Sequence, residues 1–147
     1  MKSELRLLGK NAVVTGGSSG IGLAIAQAFV EEGAKVAITG RDADVLNEAV
    51  KVIGSDSISV PADVKSVSQI ALMFKTVSEQ LGGLDILVAN AGIAVARSLD
   101  DASEELFDEI VCTNLRGTYF TVQKSLPYLN QGASIILISS ALGQLGI

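Results

Sequence analysis

Several residue types that carry common catalytic chemistry are absent or rare in this 147-residue chain. Histidine is absent, which excludes Ser-His-Asp and Cys-His catalysis within these residues. Cys112 is the only cysteine, so an internal disulfide and a cysteine-based metal cluster are excluded as well. We therefore expect no bound metal, and the low cysteine content indicates a reducing, cytoplasmic location.

Long apolar runs and an excess of basic residues are also lacking. The longest run of bulky apolar residues, Ile135 to Ile138, is far too short to span a bilayer. The first residues lead into no apolar segment of the kind found in a secretory signal. Lys and Arg number 11 against 16 Asp and Glu, a net charge of −5 without basic runs. We therefore expect neither a membrane nor a nucleic acid as a partner.

What the chain does contain is a regular alternation of short β-branched runs and longer amphipathic stretches. Its length predicts one domain, and 48% apolar with 18% charged residues is typical of a globular protein. The predicted strands are residues 11–15, 35–39, 57–60, 85–89 and 134–139, and the predicted helices are 20–32, 43–53, 66–81 and 103–126. Strands and helices that alternate with short connections predict an α/β fold, a doubly wound parallel sheet with helices on both faces.

Local patterns add detail to two of these helices. Ser66 followed by Gln69 is a capping box, which predicts where the third helix begins. In the first helix, helical spacing predicts one buried apolar face, made of Ile21, Ala24, Ile25, Ala28 and Phe29.

The connection between the first strand and the first helix is rich in glycine. This glycine turn, residues 15–22, reads Thr-Gly-Gly-Ser-Ser-Gly-Ile-Gly. Glycines let the backbone approach a ligand closely, and backbone N–H groups at a helix N-terminus favour an anion such as a pyrophosphate. The hydroxyls of Ser18 and Ser19 add donors. The alternative is a glycine-rich turn without a ligand; a P-loop is not expected because no Gly-Lys-Ser/Thr follows.

Together with four further motifs, the Gly-x-x-x-Gly-x-Gly spacing of this turn resembles the short-chain dehydrogenase/reductase family. The other motifs are Asp63-Val64 after the third strand, Asn90-Ala91-Gly92 after the fourth, Asn114 in the last helix, and Ser140 after the fifth strand. The resemblance spans the whole chain and implies a nicotinamide dinucleotide as the cofactor. The residues that it implies for cofactor binding are Gly16, Ser18, Ser19, Gly20, Ile21, Gly22, Arg41, Asp63, Val64, Asn90, Ala91 and Gly92.

The resemblance also implies two catalytic residues and a reaction. Ser140 would contact the carbonyl oxygen of a substrate, and Asn114 would support a water relay. Asn114 lies beside the apolar residues Ile110, Val111 and Leu115, which favours a buried position; the alternative is a polar helix residue that faces solvent. The implied reaction is hydride transfer between nicotinamide and a small-molecule carbonyl or secondary alcohol.

The end of the second strand indicates which nicotinamide cofactor is used. NAD-binding relatives of this build place an acidic residue there, which binds the ribose 2′-hydroxyl. Gly40 occupies that position here, and Arg41 follows, whose guanidinium suits a 2′-phosphate. We expect NADP(H) to be preferred over NAD(H). The alternative is an exposed Arg41 that pairs with Asp42 or Asp44.

The family's acid, a Tyr with a Lys four residues later, is missing from these 147 residues. Tyr119 and Tyr128 are followed at that spacing by Gln123 and Gly132. In the family the pair lies beyond the position of Ile147, so the chain resembles the first part of a longer member. We expect residues 1–147 to be one dinucleotide-binding domain, incomplete at its C-terminus and inactive as a short chain.

This interpretation carries structural expectations and leaves one alternative open. The first five strands should have the order 3-2-1-4-5, with Ile135 to Ile138 at an unpaired, apolar sheet edge. The full-length protein is expected to form a homo-oligomer. The alternative is a non-catalytic nucleotide-binding module, which would apply if these 147 residues are the whole natural product.

Overall fold

The computed structural model describes residues 5–141 and contains one five-stranded sheet. Its strands are β1 Asn11–Thr15, β2 Lys35–Gly40, β3 Ser57–Pro61, β4 Leu84–Ala89 and β5 Leu129–Leu137. Its α-helices are α1 Gly20–Glu31, α2 Ala43–Ile53, α3 Val67–Leu81, α4 Glu104–Ile110 and α5 Thr118–Ser125. Short 3₁₀ turns lie at Leu99–Asp101 and Leu126–Tyr128, and none of the described helices is long and apolar enough to cross a membrane.

The sheet is parallel throughout, in the order β3-β2-β1-β4-β5. This confirms the predicted fold class and strand order. Because all strands run in one direction, their carboxyl ends meet at one edge of the sheet. The order reverses between β1 and β4, which creates a crevice at that edge.

Helices cover both faces of the sheet, and each face has its own apolar core. Alternate residues of a strand point to opposite faces, so Val14 and Ile38 join the α1–α2 side while Val13 and Ala37 join the α3–α5 side. Phe74, Ile70 and Leu87 of the second side are fully buried, while Phe120 and Tyr128 pack against them partly buried. This two-sided burial explains why the strands carry continuous apolar runs rather than alternating ones.

The predicted apolar face of α1 is confirmed for two of its five residues, which pack against the core, and wrong for the other three. Its fully buried residues are Gly22 and Ala26, while Ile25 and Phe29 are only partly buried. Ala24 and Ala28 are exposed, and the Ile21 side chain is 63% exposed. The smallest residues face the sheet because α1 approaches the backbone of the glycine turn closely. Helical periodicity does not distinguish this arrangement from one with the larger residues inward.

The predicted long helix over residues 103–126 is interrupted. Between α4 and α5, Val111–Gly117 forms a π-helical segment, called here the π-turn. Such segments are rare and frequently lie at functional sites. Pro127 lies in the 3₁₀ turn that ends this helical stretch, as expected for a residue without a backbone N–H.

Strand β5 begins five residues before its predicted start and ends two residues before its predicted end. Pairing with β4 shifts register, since Leu84 pairs with Leu129 but Ile86 pairs with Ser134. Residues 130–132, Asn-Gln-Gly, are of types common in turns, yet β5 pairs with β4 both before and after them. In the described residues β5 is an edge strand, and Ile135 to Ile138 are 38–57% exposed. The predicted apolar sheet edge is thereby confirmed.

Asp85 connects three elements at the amino edge of the sheet, opposite the crevice. Its carboxylate accepts hydrogen bonds from the Asn11 backbone N–H at 2.9 Å and the Asn130 amide at 3.1 Å, and Lys10 Nζ lies 3.5 Å away. Burial by itself would raise the pKa of Asp85. The hydrogen bonds and the Lys10 charge outweigh burial and hold that pKa below its usual value.

Candidate functional site

The carboxyl ends of all five strands border one open cleft with a volume of about 850 Å³. This volume falls within the range of small-molecule and cofactor sites. The cleft lies in the crevice between β1 and β4, where ligands bind in open parallel sheets. It is lined by every predicted site residue except Gly22.

The glycine turn is fixed to β4 by hydrogen bonds from both sides. The Thr15 hydroxyl accepts from the backbone N–H groups of Asn90 and Ala91, each at 3.0 Å. In return, the Asn90 side-chain amide donates to the carbonyl oxygens of Thr15 at 3.0 Å and Gly16 at 3.2 Å. Sequence reasoning did not assign Thr15 a site role; the signal was a hydroxyl residue at the last position of a buried strand. These four hydrogen bonds hold the glycine turn against the residues that follow β4.

Gly22 is buried beneath the cleft rather than exposed to it. A Cβ on Gly22 would overlap the Gly16 carbonyl oxygen and lie 2.5 Å from Asn90 Nδ2. Gly20 instead lines the cleft with a φ of 52°, and none of the described atoms lies within 4 Å of its Cβ position. The two glycines thus differ in role: Gly22 allows close packing, while Gly20 leaves the cleft open.

The N-terminus of α1 is suited to an anion. Ser19 occupies the N-cap, but its side chain makes no capping hydrogen bond within the described residues, and the first turn carries no acidic residue. Asp42, Ser66 and Ser103 do cap α2, α3 and α4 in that way. Because Ser19, Gly20 and Ile21 line the cleft, this helix end presents its partial positive charge there.

Arg41 lies at the cleft next to the end of β2. Its side chain is exposed, and none of the salt bridges or hydrogen bonds formed within residues 5–141 involves it. The nearby Asp42 carboxylate instead caps α2, accepting from the backbone N–H groups of Asp44 and Val45. This arrangement disfavours the pairing of Arg41 with Asp42 or Asp44. A Cβ on Gly40 would lie 3.7 Å from Ser18 Oγ, so position 40 adjoins the glycine turn.

The β3–α3 loop, residues 62–66, forms the opposite wall of the cleft. Asp63 Oδ1 accepts from the Lys65 backbone N–H at 2.9 Å, and the Asp63 backbone N–H donates to Gln69 Oε1 at 2.9 Å. The predicted capping box is thus half formed. Ser66 Oγ caps α3, but the Gln69 side chain holds Asp63 instead of returning to Ser66. Gln69 is therefore a supporting residue of this wall that the sequence signalled only as a cap.

Asn114 is exposed rather than buried, contrary to the prediction. Its side chain forms two 2.8 Å hydrogen bonds to one backbone residue: Oδ1 accepts from the Ile93 N–H, and Nδ2 donates to the Ile93 carbonyl. The Thr118 hydroxyl donates to the Asn114 carbonyl at 2.8 Å. The π-turn directs the Asn114 side chain away from the core and onto the loop that follows β4.

Ser140 lies in the segment after β5 and lines the same cleft as Asn114. Ser139 also lines it, as do further residues that sequence reasoning did not assign to the site, among them Lys65, Thr113 and Thr118. Lys65 follows Asp63 and Val64 directly in the sequence, whereas the proximity of Thr113 and Thr118 depends on how the helical segment packs. The described residues contain no cluster of histidine, cysteine or acidic side chains that could hold a metal ion.

Comparison with protein families and curated proteins gives one consistent result. The family model for short chain dehydrogenases matches residues 10–147. An NADP-dependent (R)-specific alcohol dehydrogenase of Lentilactobacillus kefiri is 44% identical over 146 residues, 96% of this chain and 58% of that protein. An oxidoreductase of Sarocladium schorii is 42% identical, covering 99% of this chain and 59% of that protein. The chain thus spans somewhat over half the length of these curated relatives.

Solved structures give the same result. A short-chain dehydrogenase from Burkholderia cenocepacia, in complex with NADP, superimposes with a TM-score of 0.91 at 38% identity, covering 97% of this chain and 60% of that one. A short-chain dehydrogenase/reductase from Brucella melitensis gives a TM-score of 0.93 at 30% identity and covers 100% of this chain and 62% of that one.

Proposed function

Since the chain belongs to the short-chain dehydrogenase family, we propose that the protein is an NADP(H)-dependent oxidoreductase. Its substrate class is a small-molecule carbonyl or the corresponding secondary alcohol. Residues 1–147 would form one dinucleotide-binding domain of a cytoplasmic homo-oligomer. The NADP-dependent alcohol dehydrogenase of Lentilactobacillus kefiri and the Burkholderia cenocepacia structure with NADP support the choice of cofactor.

The walls of the cleft suit the successive parts of the dinucleotide. The N-terminus of α1, with Ser18 and Ser19, would hold the pyrophosphate. Arg41 would pair with the 2′-phosphate, and Asp63 with Val64 would contact the adenine. Asn90, Ala91 and Gly92 would border the nicotinamide side, where β4 ends next to β1.

When bound, the nicotinamide supplies or accepts the hydride, and the protein must orient the substrate and supply a proton. Ser140 would donate a hydrogen bond to the substrate carbonyl oxygen. Asn114 would support a water relay, and its hold on Ile93 keeps the neighbouring loop in place. Neither residue is an adequate acid at neutral pH, so the general acid would have to be a Tyr with a nearby Lys, a pair absent from these 147 residues.

The observation that carries the cofactor choice is Arg41 at the cleft beside Gly40, where its side chain has no ion-pair or hydrogen-bond partner among residues 5–141. We expect NADPH to bind more tightly than NADH. Arg41→Ala should remove most of that preference, on the order of tenfold or more, because a charged hydrogen bond contributes about 1.5–3 kcal/mol. Isothermal titration of both cofactors measures the ratio directly.

Two matched variants make this experiment specific. Lys75→Ala removes an exposed charge on α3, outside the residues that line the cleft, and should leave the ratio unchanged. Gly40→Asp places a carboxylate next to Ser18, which should repel a 2′-phosphate and favour NADH. Equal affinity of the unmodified protein for NADPH and NADH would contradict the proposed cofactor.

The alternative function is a nucleotide-binding module without catalysis. It would apply if the natural protein carries no Tyr-x-x-x-Lys motif, since every other feature of the cleft serves binding equally well. The intact mass of the natural protein distinguishes the two functions. A mass close to the 15.2 kDa of these residues supports the module, and a mass well above it supports the enzyme.

A further inference from the structure

The β3–α3 loop is held in shape locally, but its position relative to the rest of the cleft depends on distant residues. The bonds from Asp63 to Lys65, Gln69 and Ser66 all lie within six positions of Asp63. The ends of the loop are anchored, because the Ala62 N–H donates to the Gly40 carbonyl oxygen at 2.9 Å and Gln69 belongs to α3. Contacts with the middle of the loop add to these anchors and help to set where the Asp63 carboxylate lies.

One such contact comes from the side chain of Arg116, which lies in the π-turn 51 residues further along the chain. Its Nη1 donates to the Lys65 carbonyl oxygen at 2.9 Å. The guanidinium lies over the Phe120 ring, 5.2 Å from the ring centroid. A planar guanidinium can stack on an aromatic ring while it donates in its own plane, so Phe120 orients the donor towards the loop.

Two neighbouring contacts show that this part of the helical segment fits closely against the loop. A Cβ on Gly117 would lie only 3.0 Å from the Val64 carbonyl oxygen. Lys65 Nζ lies 3.8 Å from Glu109 Oε1, an exposed pair that contributes little by itself. Among these contacts, the bond from the Arg116 guanidinium to the Lys65 carbonyl oxygen is the short, charge-assisted hydrogen bond to the loop backbone.

The same π-turn also holds the opposite side of the cleft. Asn114, two positions before Arg116, binds both backbone groups of Ile93. Residues two apart on a helix point in different directions, so the two side chains can reach different loops. The π-turn therefore connects the loop after β3 with the loop after β4.

We propose that Arg116 is a positioning residue for the adenine of the cofactor, holding the β3–α3 loop so that Asp63 and Val64 face the base. This rests on the proposed function, in which that loop contacts adenine. Within residues 5–141, Asp63 Oδ1 is engaged by Lys65 while Oδ2 has no hydrogen-bond partner. Oδ2 can accept a bond from the exocyclic amine of adenine. Hypoxanthine carries a carbonyl oxygen at that position, which would repel the carboxylate.

The experiment compares the binding of NADPH with that of its hypoxanthine analogue to the full-length protein. The unmodified protein should prefer NADPH by on the order of tenfold, the effect of one charge-assisted hydrogen bond. Arg116→Met keeps the apolar stem but removes the donor, and should reduce NADPH affinity roughly five- to tenfold while changing the analogue's affinity less than about twofold. Arg116→Lys keeps the positive charge but loses the planar group that stacks on Phe120, so it should resemble Arg116→Met rather than the unmodified protein. Lys75→Met is the matched control for loss of a surface charge and should leave both affinities unchanged.

The outcomes separate this proposal from the proposed function. If the unmodified protein binds NADPH with the expected preference but Arg116→Met retains it, Arg116 does not position the adenine loop and only this proposal fails. An equal loss of affinity for both dinucleotides, or full retention of the preference by Arg116→Lys, also overturns it. If the unmodified protein does not bind NADPH at all, the proposed function fails and this proposal fails with it.

Discussion

Gly20 and Gly22 are two residues apart in the glycine turn, yet they have opposite surroundings. Gly20 has a positive φ and open space towards the cleft, whereas a side chain on Gly22 would overlap the Gly16 backbone. Sequence spacing marks both as members of one motif. The structure assigns Gly22 to packing of α1 against the turn and leaves Gly20 beside the space where a ligand would bind.

The two glycines should therefore respond differently to the same substitution. Gly22→Ala should reduce the free energy of unfolding by about 1–3 kcal/mol or more, because backbone atoms cannot move aside easily. Gly20→Ala should cost about 1 kcal/mol for its left-handed backbone and weaken NADPH binding strongly. Urea unfolding and cofactor titration of both variants measure these effects. A stable Gly22→Ala variant, or undiminished binding by Gly20→Ala, would contradict the assignment.

The π-turn is the structural element that brings the two sides of the cleft together. In an uninterrupted α-helix the backbone groups bond to one another, and successive side chains point outward at regular angles. The π-turn changes those angles, and its side chains Asn114 and Arg116 bind backbone groups of two separate loops. An element that interrupts the helix thus supplies contacts to the site.

The two hydrogen bonds between the Asn114 side chain and the Ile93 backbone can be tested by amide hydrogen exchange. Asn114→Ala removes two 2.8 Å hydrogen bonds, so exchange of the Ile93 amide hydrogen should accelerate on the order of tenfold. Asn47→Ala is a suitable control, because Asn47 is an exposed amide on α2 that bonds only to Ser59 among the described residues. Unchanged exchange at Ile93 would mean that the loop is held by other contacts.

At the scale of the whole molecule, residues at the carboxyl end of every described strand line the cleft, and the proposed function assigns binding and catalytic roles to them. Ser140 and Asn114 line it, and neither is followed in these 147 residues by the family's Tyr-Lys pair. The apolar strand β5 is exposed at the edge of the described sheet. Binding and turnover should therefore be separable properties of this protein.

A polypeptide of these 147 residues should bind NADPH without reducing carbonyl compounds above background. Loss of the general acid alone costs roughly 10²–10⁴ in rate. A longer form that includes a Tyr-x-x-x-Lys motif should be active, and its Ser140→Ala variant strongly impaired. NADPH oxidation, followed by absorbance with a panel of ketones and 3-oxoacyl esters, measures both. Robust turnover by the short polypeptide after repurification would show that the acid lies within it.

The sequence by itself determined the order of elements, the parallel sheet and the edge at which the site lies. These properties follow from local signals: β-branched runs, helical periodicity, and glycines between a strand and a helix. Once the strands are parallel, their carboxyl ends must meet at one edge. The family resemblance implied site roles for Gly16, Arg41, Asp63, Asn90 and Ser140, and the structure places them around one cleft at that edge.

Only the tertiary structure decided which side chains hold that cleft in shape. The inward face of α1, the half-formed capping box at Gln69, the exposure of Asn114 and the bond from Arg116 to Lys65 do not follow from the local pattern. The physical reason is that each depends on how closely two segments pack after the sheet has formed. Residues 51 positions apart along the chain become neighbours only through that packing, and no local periodicity encodes it.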